Sequence, residues 1–236
     1  MAAQRFIAGY ANLEPSQSGR TVETSLASAA LRMSPRSRGI RIYIQSLAMK
    51  IGILALQGDF DAHRRRLREL GAEVVLVKKP QQLDEVDALV IPGGESTTFL
   101  KLLGDAGFQK LKDFVHLKPT FGTCAGAILL AREVGNPPQP GLGALDVSIR
   151  RNAYGRQVDS SIRQGASKLG IDPLEMVFIR APKFENLGPN VEVLATEGND
   201  PVLIRQGRVV AATFHPELSE DKRVHQYFLD MVRNGQ

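Results

Sequence analysis

The sequence predicts an α/β fold, a three-layer sandwich around a central, mostly parallel sheet, and three observations carry that prediction. From Met49 onward, short strands that are apolar throughout alternate with stretches of helical period. Strands without an apolar/polar alternation are buried on both faces, which calls for helices on both sides of a parallel sheet. Two glycine-rich turns, PGGES at 92–96 and GTCAG at 122–126, then fall at strand ends, where ligands bind in such sheets.

The elements follow in order. Residues 51–56 form the first strand; Phe60, His63, Leu67 and Leu70 recur at helical spacing until Gly71 ends the helix, and residues 74–77 form the second strand. Residues 88–91 are a third strand running into PGGES, helical patterns cover 96–103 and 107–116, and residues 120–122 are a short strand leading to Cys124. After Pro137 the pattern shifts to shorter β-like stretches at 145–149, 176–179 and 191–195, then a pair at 202–204 and 209–214 around Gln206-Gly207. These are expected as antiparallel additions to the same domain. A closing helix over 220–232 buries Val224, Phe228 and Met231, and no internal repeat is present.

Composition narrows the function classes. The chain is 43% hydrophobic and 23% charged, the proportions of an ordinary globular protein able to bury one large core. No apolar stretch reaches the roughly 18 residues that span a bilayer, so no membrane role is expected. The net charge of +5 lies almost wholly in residues 1–48, where six arginines face two glutamates; residues 49–236 hold 24 basic and 23 acidic side chains. The folded part therefore has no basic excess, and no nucleic-acid partner is expected. A single cysteine excludes an internal disulfide and a cysteine-built zinc site, so a reducing compartment, the cytoplasm, fits best, with no metal and no cofactor.

Residues 1–48 are a separate extension with seven serines and no lysine. An Arg-rich, Ser-rich, acid-poor segment has the composition of an organelle transit peptide. The competing expectation is a disordered tail or upstream sequence ahead of a working start at Met49, and the abrupt onset of strand pattern at KIGILALQGDF favours it. The domain proper is then 49–236.

Cys124 stands in G-x-C-x-G at a strand-to-helix junction, the form of a nucleophile elbow, with the helix from Ala125 presenting its positive end to the sulfur and favouring thiolate. A buried free cysteine also packs as a small hydrophobe, so the elbow alone does not decide. A thiol nucleophile needs a base and a group to orient that base. His63, His116 and His225 sit in helical patterns and read as packing or surface residues. His215 instead follows an apolar strand in FHPE, where Glu217, two residues on along extended chain, points the same way and can fix the imidazole. The Ala125 N–H and a glycine of PGGES, Gly94, are the candidate oxyanion donors. PGGES lacks the spacing of the phosphate-binding loops, which makes phosphate the weaker reading.

GTCAG, PGGES and FHPE, in this order, resemble the class I (triad) glutamine amidotransferases. LALQGDF, PGGESTT, RRNAYGRQVDS, FIRAP and FHPELSED are similar to the family of glutaminase subunits of pyridoxal phosphate synthase, from about Met49 to the C-terminus. The resemblance implies a flavodoxin-like sandwich of the class I amidotransferase type, with Cys124 as nucleophile, His215 as general base and acid, and Glu217 as its orienting carboxylate. It also implies glutamine binding by Gly94, Glu95, Ser96, Arg151, Ile179 and Arg180; an arginine suits the substrate carboxylate. The implied activity is hydrolysis of L-glutamine to glutamate and ammonia. The implied partner is a separate synthase subunit, in a heteromeric complex, that joins the ammonia to a pentose phosphate and a triose phosphate in making pyridoxal phosphate, vitamin B6. Two other readings remain: the same chemistry serving another acceptor, and a catalytically silent subunit that stabilises a partner.

Overall fold

The computed structural model describes residues 49–151, 153 and 160–235. The expectations for 1–48, and most of the RRNAYGRQVDS stretch, lie outside the described residues.

Among the described residues twelve strands and four α-helices follow one another as β1 (Lys50–Leu54), α1 (Phe60–Glu69), β2 (Glu73–Val77), β3 (Ala88–Ile91), α2 (Ser96–Leu117), β4 (Thr120–Thr123), α3 (Ala125–Leu130), β5 (Ala131–Gly135), β6 (Leu145–Arg150), β7 (Ser161–Ser167), β8 (Leu174–Phe178), β9 (Lys183–Glu185), β10 (Glu192–Glu197), β11 (Asp200–Gln206), β12 (Val209–Ala212) and α4 (Arg223–Arg233). Nine of these strands form one sheet in the order β2-β1-β3-β4-β12-β11-β10-β7-β8. The β2-β1-β3-β4-β12 half is parallel throughout.

Both faces of that half are covered, as strands apolar throughout require. Leu89 and Ile91 pack with Phe99, Leu111 and Leu129 from α2 and α3, while Ala88 and Val90 pack with Leu67 of α1 and Phe228 of α4. Phe99, Phe121 and Phe228 are completely buried, each contributing roughly 1.5–3 kcal/mol by transfer from water. The layers are thereby fixed against the sheet, and the turns at its carboxyl edge inherit that rigidity.

Several expectations needed correction. The stretch at 209–214, read as antiparallel, is antiparallel only toward β11; toward β4 it runs parallel, with Val209 opposite Thr120 and Ala212 opposite Thr123. The stretch at 145–149 belongs to a second, three-stranded sheet, β5-β6-β9, where it pairs parallel with β5. β5, β7 and β9 carried no recognisable period, being short or polar on one side. The two helical patterns expected after PGGES, over 96–103 and 107–116, are there as two helices run together in α2, meeting at a kink at Gly104, whose φ of 59° and ψ of −179° lie outside the right-handed helix. Among the described residues, no helix is long and apolar enough to cross a membrane.

Candidate active site

Four neighbouring strands, β1, β3, β4 and β12, end at the same edge of the sheet, and each delivers one part of a single cavity of about 200 Å3. Gly94, Glu95, Ser96, Cys124, Arg151, Ile179, Arg180 and His215 line it, so the structure gathers every sequence-predicted side chain except Glu217 and Ala125 at its wall. Those two stand directly behind, buried beneath His215 and Cys124.

β4 places Cys124. Its N–H donates to the Ala212 carbonyl of β12 at 2.9 Å, and its carbonyl accepts from Ile128 N–H at 3.1 Å, pinning the residue between strand and helix. The backbone there has a φ of 47°, a strained value for a residue with a side chain, and such strain collects at functional sites. Tight packing enforces the turn: a β-carbon on Gly126 would sit 2.9 Å from the Ile91 carbonyl carbon, and one on Gly122 would sit 2.7 Å from that of Gly126. Only glycines fit on either side of this elbow.

β12 places the histidine. His215 N–H donates to the Val177 carbonyl at 2.8 Å, and Pro216–Leu218 forms a 3₁₀ turn. Glu217 therefore reaches the imidazole by way of this turn and not along extended chain, a correction to the sequence reading. Its Oε1 lies 2.8 Å from His215 Nδ1. Since a carboxylate only accepts, Nδ1 carries the proton, and Nε2 is left for the sulfur. Burial opposes charge on His215, but hydrogen bonds to the Cys124 and Glu217 side chains outweigh it and push its pKa up to about 10. Burial likewise opposes charge on Glu217, yet the hydrogen bond and the charge of His215 hold its carboxyl below the usual range.

β3 ends in PGGES. Glu95 caps α2, accepting from Thr98 N–H at 2.8 Å and from the Thr97 hydroxyl, while its other oxygen meets Arg151 Nη2 at 3.1 Å. Burial opposes its charge, but the bonds from Thr97 and Thr98 prevail and keep the carboxyl below its ordinary range. Arg150 turns away to Glu185, so Arg151 alone of that pair faces the cavity. Arg151 Nη1 is buried without an acceptor among the described residues.

Sequence reasoning missed several participants. Gln57, beyond β1, accepts from Glu95 N–H and donates to the Glu95 carbonyl, both at 3.2 Å, clamping the PGGES turn from behind. Asp59, Ile128 and Pro182 also line the cavity, and donor atoms of Asp59, His215 and Glu217 all lie within 4.8 Å of one another. His63 and His225, read as packing or surface residues, are fully buried, and His63 Nε2 stands 3.3 Å from Glu217 Oε2. A helical histidine carries no sequence signal of this kind, because only the docking of α1 and α4 brings the two together.

The model of the SNO glutamine amidotransferase family matches residues 53–234. The pyridoxal 5'-phosphate synthase subunit PdxT of Koribacter versatilis is 65% identical over 187 residues, which are 79% of this chain and 97% of that protein. The subunit of the same name from Thermosipho africanus is 53% identical over 187 residues, 78% of this chain and all of its own length. A crystal structure of a glutamine amidotransferase, 48% identical, superposes with a TM-score of 0.72 over 78% of this chain and 98% of that one. Another glutamine amidotransferase, from Thermotoga maritima, shares the fold at 16% identity, with a TM-score of 0.53 over 80% of this chain and 85% of that one.

Proposed function

The chain belongs to the SNO glutamine amidotransferase family, and from that premise we propose that it hydrolyses L-glutamine and passes the ammonia to the synthase subunit of a pyridoxal 5'-phosphate synthase. Relatives named as subunits of that synthase, matched over nearly their full length, support the destination. Residues 49–236 form the glutaminase domain, and it works with the synthase in a heteromeric complex. The single thiol suits the reducing cytoplasm.

The observation that carries the chemistry is that Cys124 and His215 line one cavity while Glu217 Oε1, behind the ring, lies 2.8 Å from His215 Nδ1. Glutamine enters with its α-carboxylate toward Arg151 and Arg180 and its α-ammonium toward Glu95, between Ser96 and Ile179. The Arg151–Glu95 pair is then exchanged for two contacts with the zwitterion, and Arg151 Nη1 gains an acceptor. Cys124 Sγ attacks the carboxamide carbon, and the N–H groups of Gly94 and Ala125 hold the oxyanion. As the C–N bond breaks, His215 gives a proton to the leaving nitrogen, ammonia departs, and a thioester remains. Water, deprotonated by His215, attacks the thioester, and glutamate leaves with the sulfur restored. The balance is glutamine plus water to glutamate plus ammonia.

The test is glutamate release from glutamine by the chain with and without the synthase subunit, with Cys124→Ala as the blank. Release that is equal in wild type and the blank would overturn the assignment.

A further inference from the structure

Behind the triad lies a second layer of polar groups for which glutamine hydrolysis has no direct use. His63 from α1 and His225 from α4 are both fully buried, and Phe121 stands edge-on to each ring at 6.0 and 5.8 Å. Water is excluded there, so these imidazoles must satisfy one another.

The hydrogen positions follow by elimination. His63 Nδ1 and His225 Nε2 are 3.0 Å apart and share one proton. Were it on His63 Nδ1, the neutral His63 would turn a bare Nε2 toward the Glu217 carboxylate, and His225 would carry its hydrogen on Nδ1, which has no partner among the described residues. A buried N–H without an acceptor and a lone pair facing an anion are both unfavourable. With the proton on His225 Nε2, both penalties vanish: His225 donates to His63 Nδ1, only an unshared lone pair remains at His225 Nδ1, and His63 carries its hydrogen on Nε2. That hydrogen lies between Thr123 Oγ1, at 3.1 Å, and Glu217 Oε2, at 3.3 Å. Among the described residues Oε2 has no aligned hydrogen bond of its own, whereas Oε1 is taken by His215.

We propose that His63, held by His225 as its Nε2–H tautomer, is a positioning residue of the triad: its N–H steadies Glu217 Oε2 and thereby keeps Oε1 on His215 Nδ1. The proposal rests on the glutaminase reading above. The groups facing His63 are Glu217, His215, His225 and Asp59; burial, the largest influence, and His215 lower its pKa, while Glu217 and Asp59 raise it less. His63 therefore stays neutral and supplies a dipole without a charge. A charged His63 would compete with His215 for the Glu217 carboxylate; a neutral one leaves that anion to His215 alone.

The experiment uses the full chain with its synthase subunit. The amide of Gln can place an N–H where His63 Nε2 lies, the amide of Asn reaches only the Nδ1 side, and Phe supplies neither. His63→Phe and His63→Asn should lower kcat by about 10–100-fold with little change in KM, and should move the alkaline limb of the kcat/KM profile to lower pH. His63→Gln should recover most of the loss. Equal activity and pH profile in all three would overturn the proposal, as would loss in His63→Gln equal to that in His63→Phe at matched thermal stability. Wild-type activity no greater than that of Cys124→Ala would overturn the glutaminase reading instead. Nitrogen-15 spectra of histidine-labelled wild-type protein decide the contact without reference to turnover: neutral Nε2–H tautomers for His63 and His225 near neutral pH are expected, and an Nδ1–H tautomer or an imidazolium at His63 would overturn it even if the variants failed to fold.

Discussion

Gly93 lies directly against the imidazole of His215: a β-carbon at this position would sit 2.9 Å from Nδ1 and closer still to Cε1. The ring is thus seated on bare backbone from the turn after β3, and any side chain there must displace it. Gly93→Ala is expected to lower kcat by about tenfold to a hundredfold, since misplacing a catalytic group by about 1 Å has that effect. Steady-state kinetics check it, and KM for glutamine should move far less.

The pairing of Arg151 with Glu95 predicts how the substrate is held. Arg151→Gln should raise KM by about 10–100-fold, the worth of a charge-assisted hydrogen bond, while kcat changes little. Glu95→Gln should also raise KM, and in addition weaken the cap of α2, because Glu95 Oε2 accepts from Thr98 N–H. Thermal melting separates the two effects: only the Glu95 variant should melt earlier.

The histidines predict opposite pH dependences. The folded pKa of His215 is about 10, above the roughly 6.5 of an unfolded histidine, so its contribution to stability is fully present below about pH 6.5 and is lost as pH rises through 10. His225 is pushed down to about 3, chiefly by burial and then by His63. Its contribution is present above about pH 6.5 and is lost as pH falls toward 3. Melting temperature should therefore fall on both sides of neutrality. His215→Asn should flatten the alkaline side alone, which a thermal scan against pH would reveal.

Glu217→Gln removes the anion that supports His215. The basic limb of kcat/KM should move to lower pH, because the attraction of the carboxylate that raises the imidazole pKa is lost and the bond from Nδ1 is left to a neutral amide oxygen. The variant should also lose at least about tenfold in kcat. A basic limb unchanged from wild type would show that Glu217 does not govern the imidazole.

How much of this was legible beforehand differs by element. The apolar strands over 51–56, 74–77 and 88–91 announced a sheet buried on both faces, and their observed bounds differ from the expected ones by two residues at most. GTCAG announced its elbow because only glycine fits beside Cys124, and FHPE put the histidine and its carboxylate within local reach of one another. Short-range geometry is written in sequence, since neighbouring residues have few ways to be arranged. By itself, then, the sequence determined the sheet half around β1 to β4, the glycine-flanked turn at Cys124, and the closeness of Glu217 to His215, though not the 3₁₀ turn that joins them.

The tertiary structure alone decided what depends on pairing across distance. β12 lies parallel to β4, and that choice, invisible in a run of apolar residues, sets His215 beside Cys124. Arg151 and not Arg150 faces the cavity because Arg150, the last residue of β6, pairs beside β9 and gives its side chain to Glu185, whereas Arg151 follows in the turn and reaches Glu95. His63 and His225 meet only when α1 and α4 dock on the same face of the sheet, 162 residues apart in the chain. Periodicity tells which face of an element is buried; it does not tell which other element will cover it, and a polar residue inside that cover gains its meaning only from the partner it finds there.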